Sequence, residues 1–130
     1  MPLIKIDLIR GKTDKELKQL LDVLHQAVVA AFEVPEGDRY QILTQHEKNE
    51  MILLDTGLDF TRDPSDQIAI TIISKKRTVE AKQRLYQLIG DALETVCQID
   101  SKNILISIVE NDDPDWSFGF GEAQFLNGKL

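Results

Sequence analysis

The sequence predicts an α+β domain, in which two fused β-α-β units form a four-stranded, mainly parallel-unit sheet with two helices on one face. Three observations carry this. Sliding the 130-residue chain against itself by 64 residues lays "LIKIDLI" (3–9) on "QIAITII" (67–73), "ELKQLLDVL" (16–24) on "EAKQRLYQL" (80–88), and "DRYQILTQHE" (38–47) on "KNILISIVEN" (102–111). The hydrophobic period in each half reads strand, helix, strand. A strand–helix–strand unit of this length is a right-handed parallel crossover. The chain is therefore expected to be one domain over 1–130, with halves at about 2–47 and 66–111 and a C-terminal tail.

The first strand alternates Ile4, Ile6 and Leu8 against Lys5 and Asp7. Its helix follows "GKTD", where Thr13 as N-cap and Glu16 three residues on make a capping box. Leu17, Leu20, Leu21, Leu24, Val28 and Ala31 form one stripe, and Pro35 and Gly37 in "EVPEGD" end the helix. The second helix begins near Thr78, with Ala81, Leu85, Leu88, Ile89, Ala92 and Val96 as its stripe. The linker segment "MILLDTGL" reads as a short extra strand. With both helices on one side, the other sheet face is uncovered. Ile70, Ile72, Ile104, Ile106 and Ile108 are expected to contribute to it, an apolar surface that favours oligomerisation.

Composition narrows the function. Hydrophobic residues make up 42% and charged residues 28%, a balance for a globular chain. No apolar run nears 18 residues, so neither a membrane span nor a membrane partner is expected. The net charge of −7 argues against nucleic acid as a partner. One cysteine, Cys97, leaves no internal disulfide, fits a cytoplasmic location, and reads as a packing residue. His25 and His46 sit in no ligand-spaced cluster, and "GFG" is no phosphate loop; no metal and no cofactor are expected.

Four features could carry chemistry. Pro2 precedes the first strand, and methionine is efficiently removed ahead of proline. Its secondary amine would then be free to exchange a proton or attack a carbonyl. "EGDRY" sets Asp38 and Arg39 before the second strand, and "SKKR" sets Lys75, Lys76 and Arg77 between the third strand and its helix. "DWSFGF" presents Trp116, Phe118 and Phe120 in a glycine-containing turn. Each has an ordinary structural explanation: a turn, a solvated loop, a core aromatic. Together they supply an amine, a carboxylate, a cationic anchor and an apolar wall, the parts needed to handle a small oxo acid.

"MPL", the fused repeat, "GDRYQ", "TQH", "DTGL" and "DWSFG" resemble the tautomerase superfamily, and more narrowly its malonate semialdehyde decarboxylase branch, over the full length. The resemblance implies a tautomerase-type fold assembled as a homotrimer. It implies Pro2 as the catalytic residue after loss of Met1 and Asp38 as the catalytic aspartate. It implies Arg77 as a substrate-binding arginine and Trp116, Phe118, Phe125 and Leu130 as the apolar wall. The family pattern has arginine, any residue, arginine where this chain has Lys75, Lys76, Arg77. Lysine brings charge to that position without the planar fork that grips a carboxylate. The implied activity is decarboxylation of a small oxo-carboxylic acid. A keto–enol tautomerase of the arylpyruvate type, or a non-catalytic small-ligand or assembly module, stands beside it.

Overall fold

The computed structural model describes residues 1–130. The order of elements is β1 (Leu3–Ile9), α1 (Asp14–Phe32), β2 (Tyr40–His46), β3 (Ile68–Lys75), α2 (Val79–Cys97) and β4 (Ile104–Asn111). Single 3-10 turns lie at Lys48–Glu50, Ser101–Asn103 and Asp113–Asp115. The sheet order is β2-β1-β3-β4. β1 pairs parallel with β2, and β3 parallel with β4; the halves join through an antiparallel β1–β3 pair, Leu3 opposite Ile73.

Both helices start as their sequences dictate. Thr13 accepts from the Glu16 N–H while the Glu16 side chain accepts from the Thr13 N–H, and Thr78 accepts from the Ala81 N–H. Both end on a non-glycine residue in the left-handed region, Glu33 (φ 53°) and Gln98 (φ 55°). The helix caps repeat one residue beyond the 64-residue offset, so the halves match strand for strand with a one-residue slip before the helices.

Between sheet and helices lies the core of Ile4, Ile6, Leu8, Ile68, Ile70 and Ile72 against Leu20, Leu24, Leu85, Ile89 and Leu93. Fully burying each such side chain contributes about 1.5–3 kcal/mol. Leu93, rather than Val96, completes the α2 stripe; Val96 is exposed. Cys97 packs against this core, as expected, and burial pushes its thiol pKa up.

Two expectations are corrected. Ile70, Ile72, Ile104, Ile106 and Ile108 do not line the uncovered face of the sheet. The register sets Ile104, Ile106 and Ile108 opposite Ile68, Ile70 and Ile72, and the whole set lies under the helices. The uncovered face is mixed instead, carrying Lys5, Asp7 and Thr71 beside Ile42 and Val109, which are 51% and 52% exposed. "MILLDTGL" is not a strand. Met51 is buried, but Leu54 is 90% exposed, and the Leu53 N–H donates to the Gln67 side chain rather than to a sheet edge.

Candidate active site

The topology gathers one end of the sheet. β1 and β2 begin there, because they are parallel and Leu3 pairs with Tyr40. β3 ends there, because it is antiparallel to β1. β4 ends there too, with Lys75 opposite Asn111, so the tail departs beside Lys75. Pro2, Asp38, Lys75, Arg77 and the tail aromatics are thus brought to one edge from separate segments of the chain.

Pro2 is buried and Asp38 half-buried. The loop carrying Asp38 is held by its backbone N–H, which donates to the Pro35 carbonyl (3.0 Å), and by buried His25, whose Nε2 donates to the Glu36 carbonyl (2.7 Å). Arg39 turns away to bind Asp22 (2.9 Å) and Gln41 (2.7 Å) on the surface. His46 lies 2.7 Å from Asp7. Each histidine thus has a partner of its own, His25 in the loop that carries Asp38 and His46 on β1.

Arg77 is half-buried, and burial pushes its guanidinium pKa down. Its Nε donates to Ser74 Oγ (3.2 Å), one terminal nitrogen donates to the Phe32 carbonyl (3.1 Å), and the guanidinium lies 4.8 Å from the Phe32 ring centroid. No carboxylate of the chain pairs with it, nor does any cation pair with Asp38. Lys75, by contrast, is ion-paired with Asp113, its ammonium 4.4 Å from the centroid of Phe125.

The electrostatics of this edge register on the chain's amino end. The Met1 amine is held below its ordinary value, first by burial, then by Arg77; Asp38 pulls the other way and Lys75 adds to the lowering. The two cations and the carboxylate therefore all act on the charge of the amino end.

The wall is continuous. Trp116 stacks on Phe118 (centroids 5.3 Å, 8°), and Phe125 meets Phe118 edge-on (5.5 Å). Tyr40 lies 5.8 Å from the same ring, so the tail spans the sheet end from β4 to β2. Trp116 Nε1 donates to Asn111 (2.8 Å), and Gln124 locks the turn through the Phe118 N–H and the Gly119 carbonyl. Leu130 is 55% exposed and stands outside this ring stack. Tyr40, Phe32, Ser74 and Asp113 belong to the site without being among the residues its motifs point to. Of these only Ser74 leaves a signal in the sequence, as the one polar member of the inward series Ile68, Ile70, Ile72, Ser74.

The clefts of the chain lie elsewhere, one of about 220 Å³ between Tyr86, Gly90, Ser101, Ile104 and Ile106. None of the clefts is lined by Pro2, Asp38 or Arg77.

The family described as "Tautomerase enzyme" matches residues 38–119, and a second family of the same description matches residues 2–60. The chain belongs to the tautomerase enzyme family. It is 52% identical over 130 residues, all of both chains, to the probable tautomerase YrdN of Bacillus subtilis (strain 168). It is 30% identical to the probable tautomerase YusQ of the same organism, over 97% of this chain and 99% of that one. Among solved structures it is similar to malonate semialdehyde decarboxylase (47% identity, TM-score 0.92, 98% of each chain). It is also similar to FG41 malonate semialdehyde decarboxylase inhibited by 3-bromopropiolate (38%, TM-score 0.91, 98% and 97% covered). Fused 4-OT, described as a trimer, shares the fold at 22% identity and a TM-score of 0.76, over 95% of this chain and 98% of that one.

Proposed function

We propose that the chain acts on a small oxo-carboxylic acid through the amine of Pro2, freed by removal of Met1, and that its principal chemistry is that of a malonate semialdehyde decarboxylase. The observation that carries this is Arg77: a half-buried guanidinium with no carboxylate partner, at the sheet end that also holds Pro2, Asp38 and the aromatic wall. A carboxylate ligand is the partner such a group lacks. The two similar decarboxylases support the substrate class.

In this reading Arg77 holds the carboxylate, with Lys75 adding charge, and the rings of Trp116, Phe118 and Phe125 exclude water from it. Leu130 closes the wall when the tail is covered. The Pro2 amine, in its neutral form, adds to the aldehyde carbon; loss of water leaves an iminium. The bond to the carboxylate then breaks, carbon dioxide departs, and the electron pair moves into the iminium to give an enamine. Protonation at carbon and hydrolysis return the amine. Asp38 orients the amine or a water.

A second reading, a keto–enol tautomerase of the arylpyruvate type, is favoured by one observation: Lys75 is already engaged by Asp113, which leaves a single free cation. A neutral amine also serves as the base that takes an α-proton. Assembly as a homotrimer is supported by Ile42 and Val109, exposed on the uncovered face of the sheet, and a cytoplasmic location by the single unpaired cysteine. Malonate semialdehyde and phenylpyruvate, assayed in parallel for carbon dioxide release and enol–keto conversion, decide between the readings. Silence with both would end the oxo-acid proposal. Light scattering should give about three times the 14.8 kDa chain mass.

A further inference from the structure

We infer that Ser74 is the positioning residue that aims Arg77, so that it sets affinity for the substrate carboxylate without touching substrate. The inference rests on the reading of Arg77 as carboxylate anchor.

Ser74 ends the inward series of β3 and is 0% exposed. Packing alone does not call for a hydroxyl there, since alanine fits the same space and burying an unpaired hydroxyl is costly. The hydroxyl is fully used. Its proton goes to the Lys75 carbonyl (2.9 Å), which turns the oxygen lone pairs toward Arg77 Nε at 3.2 Å. The direction of the bond is thereby fixed: Ser74 accepts and Arg77 donates. The Phe32 carbonyl takes a second donor at 3.1 Å, and the Phe32 ring supports the guanidinium plane at 4.8 Å. Nε–H and one terminal N–H are thus committed to the protein, and the other N–H groups are left for a ligand. A guanidinium already held by two bonds loses less freedom when it closes on a carboxylate. Without Ser74 the side chain keeps its charge and loses its aim.

Arg77 grips the carboxylate in the bound substrate, and its hold slackens as the charge leaves with bond breaking, so loosening it raises KM and does not lower kcat. In Ser74→Ala, KM for the turned-over oxo acid should rise about tenfold, with kcat held within about twofold. The Arg77 Nε–H, followed by nitrogen-15 NMR in the protein without ligand, should exchange with water at least about tenfold faster. In an Arg77→Ala background, adding Ser74→Ala should change KM no further, since a residue acting only through Arg77 has nothing left to act on. The inference is overturned if Ser74→Ala leaves both KM and Nε–H exchange unchanged, or if it costs the same with Arg77 absent. A third result separates it from the functional reading: faster Nε–H exchange in Ser74→Ala, with Arg77→Ala harmless toward every oxo acid. That outcome removes the anchor and its positioning residue together, and leaves the hydrogen bond as a local structural contact.

Discussion

Lys75 and Asp113 are ion-paired across the end of the sheet, the lysine from the last residue of β3 and the aspartate from the first turn of the tail. The pairing follows from register, since Lys75 lies opposite Asn111 and Asp113 comes two residues later. The two cations of the site therefore differ in more than chemistry. Arg77 meets carbonyl, hydroxyl and ring, while Lys75 meets a carboxylate of the chain itself.

Asp113→Asn should release that charge. Both side chains are about a third exposed or more (34% and 40%), so the pair is weak and the gain modest. KM for a monocarboxylate oxo acid should fall about two- to fivefold, with kcat little changed. The single tryptophan, Trp116, sits in the wall and reports binding by its emission. An unchanged affinity would mean that Lys75 contributes nothing to the anchor.

Substitution at the cations themselves separates their roles. Arg77→Ala should cost about 2–4 kcal/mol in kcat/KM, the range for removing one partner of a desolvated charge pair. Lys75→Ala should cost clearly less. Lys75→Arg restores the family's paired forks, and carbon dioxide release should rise while enol–keto conversion stays level. Equal effects on both activities would argue that the lysine has no bearing on reaction choice.

Pro2→Ala leaves a primary amine of different basicity and shape at the same edge. Turnover should drop on the order of 10²-fold or more, as for loss of a positioned acid, base or nucleophile. Intact mass is the necessary companion, because retained Met1 ties the Pro2 nitrogen into a peptide bond. Full turnover by a protein that keeps Met1 would exclude the amine from the chemistry.

The parts of the fold legible in the sequence are those specified locally. Thr13 and Glu16 announce a helix start by spacing alone, and Ile4, Ile6 and Leu8 alternate with charges, so their inward face is unambiguous. β4 has apolar residues on both parities, Ile104, Ile106 and Ile108 on one and Leu105 and Val109 on the other. Alternation does not distinguish its two faces, and only pairing with β3 resolves them. "MILLDTGL" has strand composition, yet it pairs with neither edge strand, β2 nor β4. At the site, Pro2, Asp38, Arg77 and the tail aromatics carry residue-type signals. Tyr40, Phe32 and Asp113 become visible only through the order β2-β1-β3-β4, which no local pattern encodes.

The pH dependence should reveal both the state of the amine and its neighbours. The amino end is lowered first by burial and then by Arg77, while Asp38 opposes. Pro2 is one residue further in and buried, and once Met1 is removed the titration of its amine is expected to respond to the same groups. If the neutral amine reacts, kcat/KM rises with pH through that titration; if the cation reacts, it falls. Arg77 stays protonated across the range, since its pKa, though lowered, begins far above it. The midpoint must also move with the charges. Asp38→Asn removes the group that raises the amine, so the midpoint shifts to lower pH. Arg77→Lys keeps the charge and should leave the midpoint nearly in place, whereas Arg77→Ala removes a lowering group and shifts it higher. The direction of the limb separates nucleophilic or base chemistry from acid chemistry, and the shifts assign it to this amine. A midpoint indifferent to both Asp38→Asn and Arg77→Ala would place the titrating group outside this site.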